Sequence, residues 1–174
     1  MDTALENGTM RRTISVMVEN KFGVLARIST LFAARGFNID SLAVGETEDP
    51  TVSRMTIVVS GNEAVLEQVE KQLNKLIDVI KVTSFIEELH LERDLALIKV
   101  KADKASRSEI FQIVDIFRAK IVDVGGGSLI VEVTGDESKI TALEALLRPF
   151  GIREMVRTGI IAMGRSAKKK ENGK

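Results

Sequence analysis

Cysteine, tryptophan and tyrosine are absent from the 174 residues, histidine occurs once, at His90, and proline only twice. Without cysteine there is no disulfide, no thiolate nucleophile and no cysteine-ligated metal, and a lone histidine leaves no histidine pair for a metal site. No apolar run approaches the roughly 20 residues that span a bilayer. The start, Met1-Asp-Thr-Ala-Leu-Glu-Asn, lacks the basic and apolar regions of a secretory signal. Lys plus Arg equals Asp plus Glu, 25 against 25, so no net charge draws the chain to nucleic acid or to an anionic membrane. The expectation is a cytoplasmic protein with neither nucleic acid nor membrane as a partner.

What is present is apolar patterning. Hydrophobic residues make up 44% of the chain, enough for a core, yet two domains of roughly 75 residues each would be marginal alone. Docking or oligomerisation is therefore expected. In the first unit Ile14, Val16 and Val18 alternate onto one face, as in a strand with one buried side. After the loop Asn20-Lys-Phe-Gly23, residues Val24, Leu25, Ile28, Leu31 and Phe32 recur at helical spacing. Gly36 turns the chain into a second strand over 37–45. Glu46-Thr-Glu-Asp-Pro50 is a polar hairpin connection, and Ser53 to Ser60 is the third strand. Asn62 is a candidate N-cap for a helix striped by Val65, Leu66, Val69, Leu73 and Leu76. Ile77 to Val82 completes β-α-β-β-α-β.

The order then repeats. Ala96 to Val100 is a strand, Ile110, Phe111, Val114 and Phe117 stripe a helix, and two strands, 120–124 and 129–133, flank Gly125-Gly-Gly127 as a hairpin. Ile140, Leu143, Leu146 and Leu147 stripe a helix that Pro149 ends, and 152–158 is the last strand. The expected class is α+β, two tandem ferredoxin-like βαββαβ domains with antiparallel sheets. Residues 1–10 form an extension, 11–85 the first domain, 86–164 the second and 165–174 a solvated basic tail. Each sheet should have its first and third strands central and its second strand at an edge. An exposed edge invites pairing with another copy, so a homodimer is expected.

Several apparent motifs fail. Gly159 to Ser166 has the spacing of a Walker A loop, but Arg165 replaces the essential lysine and too little chain follows for the helix. Gly125-Gly-Gly127 lies between strands and reads as a turn rather than a phosphate cradle. No catalytic or metal-ligand set for His90 is obvious in the sequence, which favours a structural or surface role. RNA-binding domains share the β-α-β-β-α-β order but stack bases on aromatic side chains of the central strands; Ile14, Val16, Met55, Ile57 and Val59 offer no such platform.

Asn20, Gly23 and Asn38 stand apart. Asn and Gly form turns without any ligand. The alternative is that the free amides after Gly23, at a helix start, hold a carboxylate, while the Asn side chains, which both donate and accept, meet an α-amino group. Because Asn38 opens the edge strand, a two-fold dimer could bring it beside the Asn20 loop of the other chain.

Arg11-Arg-Thr-Ile-Ser-Val-Met-Val-Glu-Asn-Lys-Phe-Gly-Val-Leu-Ala-Arg-Ile28, Leu31-Phe-Ala-Ala-Arg-Gly-Phe-Asn-Ile-Asp-Ser-Leu42, Asp49-Pro-Thr-Val-Ser-Arg-Met-Thr-Ile57 and the run from Leu66 to Val79 resemble the small, regulatory subunit of acetolactate synthase (acetohydroxyacid synthase). The first half resembles its ACT domain, and His90-Leu-Glu-Arg-Asp94 the entry into its C-terminal domain. The resemblance implies a non-catalytic subunit with no cofactor of its own. It would bind and activate a large catalytic subunit carrying thiamine diphosphate, Mg and FAD, and confer feedback inhibition by valine in branched-chain amino acid biosynthesis. Carried over by position, it implies that Asn20, Gly23 and the amides of Val24 and Leu25 grip the effector from one chain, and that Asn38 and Ile39 complete the pocket from its dimer mate. Asp103-Lys-Ala-Ser-Arg-Ser108 stands where the second copy would need the Asn-x-x-Gly pattern, so no effector site is expected there. A stand-alone amino-acid-sensing ACT protein acting on another target is the alternative.

Overall fold

The computed structural model describes residues 10–85 and 90–166. The expected extension 1–10 lies outside it except for Met10, which belongs to the first strand, and the basic tail lies outside it beyond Ser166. The chain divides into two compact units, one reaching to Leu91 and taking in the segment from Ile160 onward, the other spanning Glu92–Gly159.

In the first unit the order is β1 (Met10–Glu19), α1 (Val24–Ala34), β2 (Ile39–Glu46), β3 (Val52–Gly61), α2 (Glu63–Leu73) and β4 (Val79–Phe85). The sheet is four-stranded with order β2-β3-β1-β4. β1 and β3 are central and β2 is an edge, as the sequence implies. Period-two alternation places Ile14, Val16 and Val18 with Met55, Ile57 and Val59 on the face that meets Ile28, Phe32, Leu66, Val69 and Leu73 of the helices. Asn62 Oδ1 accepts from the Val65 amide at 2.9 Å, the expected N-cap of α2.

The second unit repeats the plan with β5 (His90–Lys101), α3 (Arg107–Ile116), β6 (Lys120–Val124), β7 (Ser128–Gly135), α4 (Glu137–Leu147) and β8 (Ile152–Arg157). Its strands order β6-β7-β5-β8, and its core gathers Ile98, Val100, Ile110, Val131, Ile140 and Leu143. The Gly125 amide donates to the Ser128 carbonyl at 2.9 Å, which closes the β6–β7 hairpin.

Two departures matter. A further strand, β9 (Ile161–Gly164), pairs with β5. Residues from Ile160 onward group with the first compact unit, and Ile160 and Ala162 are buried. Leu25, Phe111 and Leu146, assigned above to apolar stripes, are exposed at 42%, 40% and 48%. Each adjoins a truly inward position, and one residue is a 100° step around a helix. His90 has a packing role, its ring stacked on Phe85 at 4.8 Å between centroids.

Candidate functional site

β1 runs out at Glu19, and the loop that follows is fixed at several points. The Glu19 amide donates to the Asp78 carbonyl at 2.9 Å and the Asn20 amide to the Thr51 carbonyl at 2.7 Å. Asn20 Nδ2 donates to Glu46 Oε1 at 3.0 Å and to the Pro50 carbonyl at 2.9 Å. The β1–α1 loop is thus tied to the β2–β3 hairpin, and Asn20 Oδ1 has no hydrogen-bond partner among the described residues. In the sequence Glu46 and Pro50 read only as parts of a polar turn, because no local pattern announces a partner so far along the chain.

Gly23 is the N-cap of α1 with φ +83° and no side-chain cap. Only glycine adopts that backbone without strain. A Cβ there would meet nothing nearer than Arg27 Nη2 at 3.9 Å, so within the chain itself the glycine is required by conformation rather than by crowding. The Arg27 amide donates to the Gly23 carbonyl at 3.0 Å and the Val24 amide makes a long bond of 3.4 Å to Lys21. Among the described residues the Leu25 and Ala26 amides have no acceptor, which leaves orphan donors at the positive end of a helix.

The charges around the loop pair locally. Arg27 Nη1 lies 2.6 Å from Oδ2 of Asp78, a mostly buried carboxylate. Lys21 Nζ lies 2.7 Å from Glu19, and the hydrogen bond to that carboxylate holds the Lys21 ammonium above its ordinary pKa. On the approach to α3 a side chain takes up two backbone amides. Asp103 Oδ1 accepts from the Ala105 and Ser106 amides at 3.0 and 2.9 Å, and the Ser106 bonds hold that carboxyl below its ordinary pKa.

Asn38 and Ile39 lie elsewhere. Asn38 is exposed, and its Nδ2 donates to Asp40 Oδ1 at 2.8 Å. Ile39 stands opposite Val59 and Val59 opposite Arg12, whereas Asn20 follows Glu19, the partner of Val52. From the row of Arg12 to Asn20 is roughly 25 Å of extended strand at ~3.3 Å per residue. One chain therefore brings Asn20, Gly23, Val24 and Leu25 together and leaves Asn38 and Ile39 at the opposite end of the sheet. No cluster of three or more acidic or histidine side chains with metal-binding geometry occurs among the described residues.

A βαββαβ unit with an uncapped first helix beneath an Asn-x-x-Gly loop is the arrangement of an ACT-domain protein. Residues 14–81 match the family model described as the AHAS small subunit-like ACT domain, and 93–166 the one described as the small subunit of acetolactate synthase. The chain is 53% identical to the acetolactate synthase small subunit of Mycolicibacterium smegmatis, over 92% of this chain and 95% of that one. It is 51% identical to that of Aquifex aeolicus, over 97% and 90%. The crystal structure of the small subunit from Thermotoga maritima superposes with a TM-score of 0.84 at 46% identity, covering 91% of this chain and 99% of that one. The chain belongs to the acetolactate synthase small-subunit family.

Proposed function

We propose that the chain is a regulatory subunit that activates the catalytic subunit of an acetolactate synthase and makes it sensitive to valine. Thiamine diphosphate, Mg and FAD would reside on that partner. The observation that carries the effector reading is the start of α1. The orphan amides of Leu25 and Ala26 suit a carboxylate, and Asn20 keeps Oδ1 for an ammonium because its amide protons are held by Glu46 and Pro50. An α-amino acid presents both groups on one carbon.

The separation of Asn38 and Ile39 from this loop supports a homodimeric site. Residues at opposite ends of one sheet meet in a single pocket only when a second copy lies across the edge strand β2. Valine bound between two chains would then shift their arrangement by the difference in its affinity for the two states, commonly about 1–3 kcal/mol.

Reconstitution tests this directly. The chain, added to its purified catalytic subunit, should raise acetolactate formation, and valine should reverse that gain. In the Asn20→Ala variant activation should persist and the valine response should vanish. Activation and valine response lost together would show that Asn20 merely holds the loop. No effect of the chain on the catalytic subunit would remove the reading and favour a target of another kind.

A further inference from the structure

The segment that carries Asn38 and Ile39 is irregular. Ile39 stands opposite Val59 and Ser41 opposite Val58, so Asp40 is an extra residue, a β-bulge in the edge strand. Asp40 accepts from Asn38 Nδ2 through one oxygen and from Ser60 Oγ through the other. Immediately beyond the bulge, Ser41 Oγ accepts the backbone N–H of Ile160 at 3.0 Å. Ile160 is 2% exposed, and a buried peptide N–H demands an acceptor. A serine side chain on β2 is thus the anchor of the return segment where it enters the first unit. That segment continues into β9, which lies against β1. In the other direction it passes through Gly159, φ +86°, to Thr158, whose hydroxyl donates to Asp94 Oδ1 at 2.9 Å in the second unit.

We propose that Ser41 is a positioning residue for regulation, whose hydrogen bond to Ile160 carries occupancy at Asn38 and Ile39 to the return segment 158–164. The inference rests on the valine-sensor reading above. A bulged residue is outside the ladder, so a contact at residues 38–39 can rotate the strand locally without breaking the β2–β3 pairing. The displacement reaches Ser41 first, and among the described residues the Ser41 side chain is bonded to the Ile160 amide. Because Thr158 and Ile160 flank a single glycine, a shift at Ile160 is delivered covalently to β8. This also gives β9 a reason to belong to the first unit although its chain arrives from the second.

The test uses the full chain, alone and assembled with its catalytic subunit, with L-valine as the probe. Ser41→Ala should bind valine in calorimetry with a dissociation constant within about two-fold of the unsubstituted chain, since Ser41 is not among the proposed ligand contacts. Half-inhibition of the assembled enzyme should need roughly 5-fold more valine or worse, the low end of a typical coupling. Ser41→Thr, which keeps a hydroxyl oxygen on a strand-compatible side chain, should restore inhibition. In the unsubstituted assembly valine should change amide exchange over 159–164 as well as at the β1–α1 loop. This measurement stands even where Ser41→Ala fails to fold. Unaltered inhibition in Ser41→Ala, or valine-dependent protection confined to the β1–α1 loop, would overturn the proposal while leaving the sensor reading in place. No valine binding by the unsubstituted assembly would overturn both.

Discussion

Asn20 Nδ2 and Glu46 Oε1 stand 3.0 Å apart, joining the end of β1 to the end of β2. With the second amide proton on the Pro50 carbonyl, the side chain is oriented before any ligand arrives. Pre-orientation of this kind raises affinity by removing an ordering cost. Glu46→Ala should therefore weaken valine inhibition several-fold while sparing activation, because one of the two restraints on Asn20 is lost. Both side chains are exposed, so neither Glu46→Ala nor Asn20→Ala should lower stability by more than about 1 kcal/mol. Inhibition curves and thermal unfolding of the two variants check the pair of expectations.

Gly23 separates backbone need from ligand need. Gly23→Ala places an L-residue at φ +83° and should destabilise by about 1–2 kcal/mol. That corresponds to a fall in melting temperature of at least about 4 °C for a unit of this size. Asn tolerates the left-handed region better, so Gly23→Asn should recover much of the melting temperature. Since no atom of the chain crowds the Cβ position, valine sensitivity that is lost in both variants would locate the crowding in the ligand's path. Recovery of both stability and sensitivity in Gly23→Asn would reduce the glycine to a turn former.

The legible part of this fold is the part written in short-range periodicity. Ile14, Val16 and Val18 lie inward, as alternation demands, and Asn62 caps α2 because a side-chain oxygen at that position reaches the third amide of the helix. The illegible part is long-range. Nothing near Glu46 announces Asn20, and Ile160-Ile-Ala-Met is too short to read as a strand until its pairing partner is known. Leu25 is apolar at a stripe-compatible position and yet exposed, one 100° step from the inward Val24. The register sets Asn38 far from Asn20 within one chain, so only the edge position of β2 and a second copy could relate the two.

The α4 cap makes a pH-dependent contribution to the second unit. Asp136 Oδ1 accepts from the Lys139 amide at 2.9 Å and from Ser138 Oγ at 2.7 Å, and these bonds, the Lys139 bond foremost, hold its carboxyl below the ordinary 3.8. A folded-state value below the unfolded one means stability fully present above the unfolded value and lost as the pH falls through the folded one. Asp136→Ala should cost about 1 kcal/mol at neutral pH. Asp136→Asn, still a good cap, should keep most of that and lose the acid dependence below pH 3.8. Denaturant titrations at pH 7 and near pH 3 distinguish the three proteins.

Asp94 and Arg157 should respond asymmetrically to truncation. The Asp94 side chain is 1% exposed, whereas Arg157 is 32% exposed and donates through Nε at 2.6 Å. Arg157→Ala leaves a buried carboxylate with the Thr158 hydroxyl as its remaining side-chain partner among these bonds, and should cost roughly 3 kcal/mol or more. Asp94→Ala frees a guanidinium that water already reaches, so its loss should be smaller. In the double variant the orphaned charge is gone, and the total should fall short of the sum of the single losses by about 1 kcal/mol or more. Additive losses in chemical denaturation would instead show that the pair behaves as an exposed one.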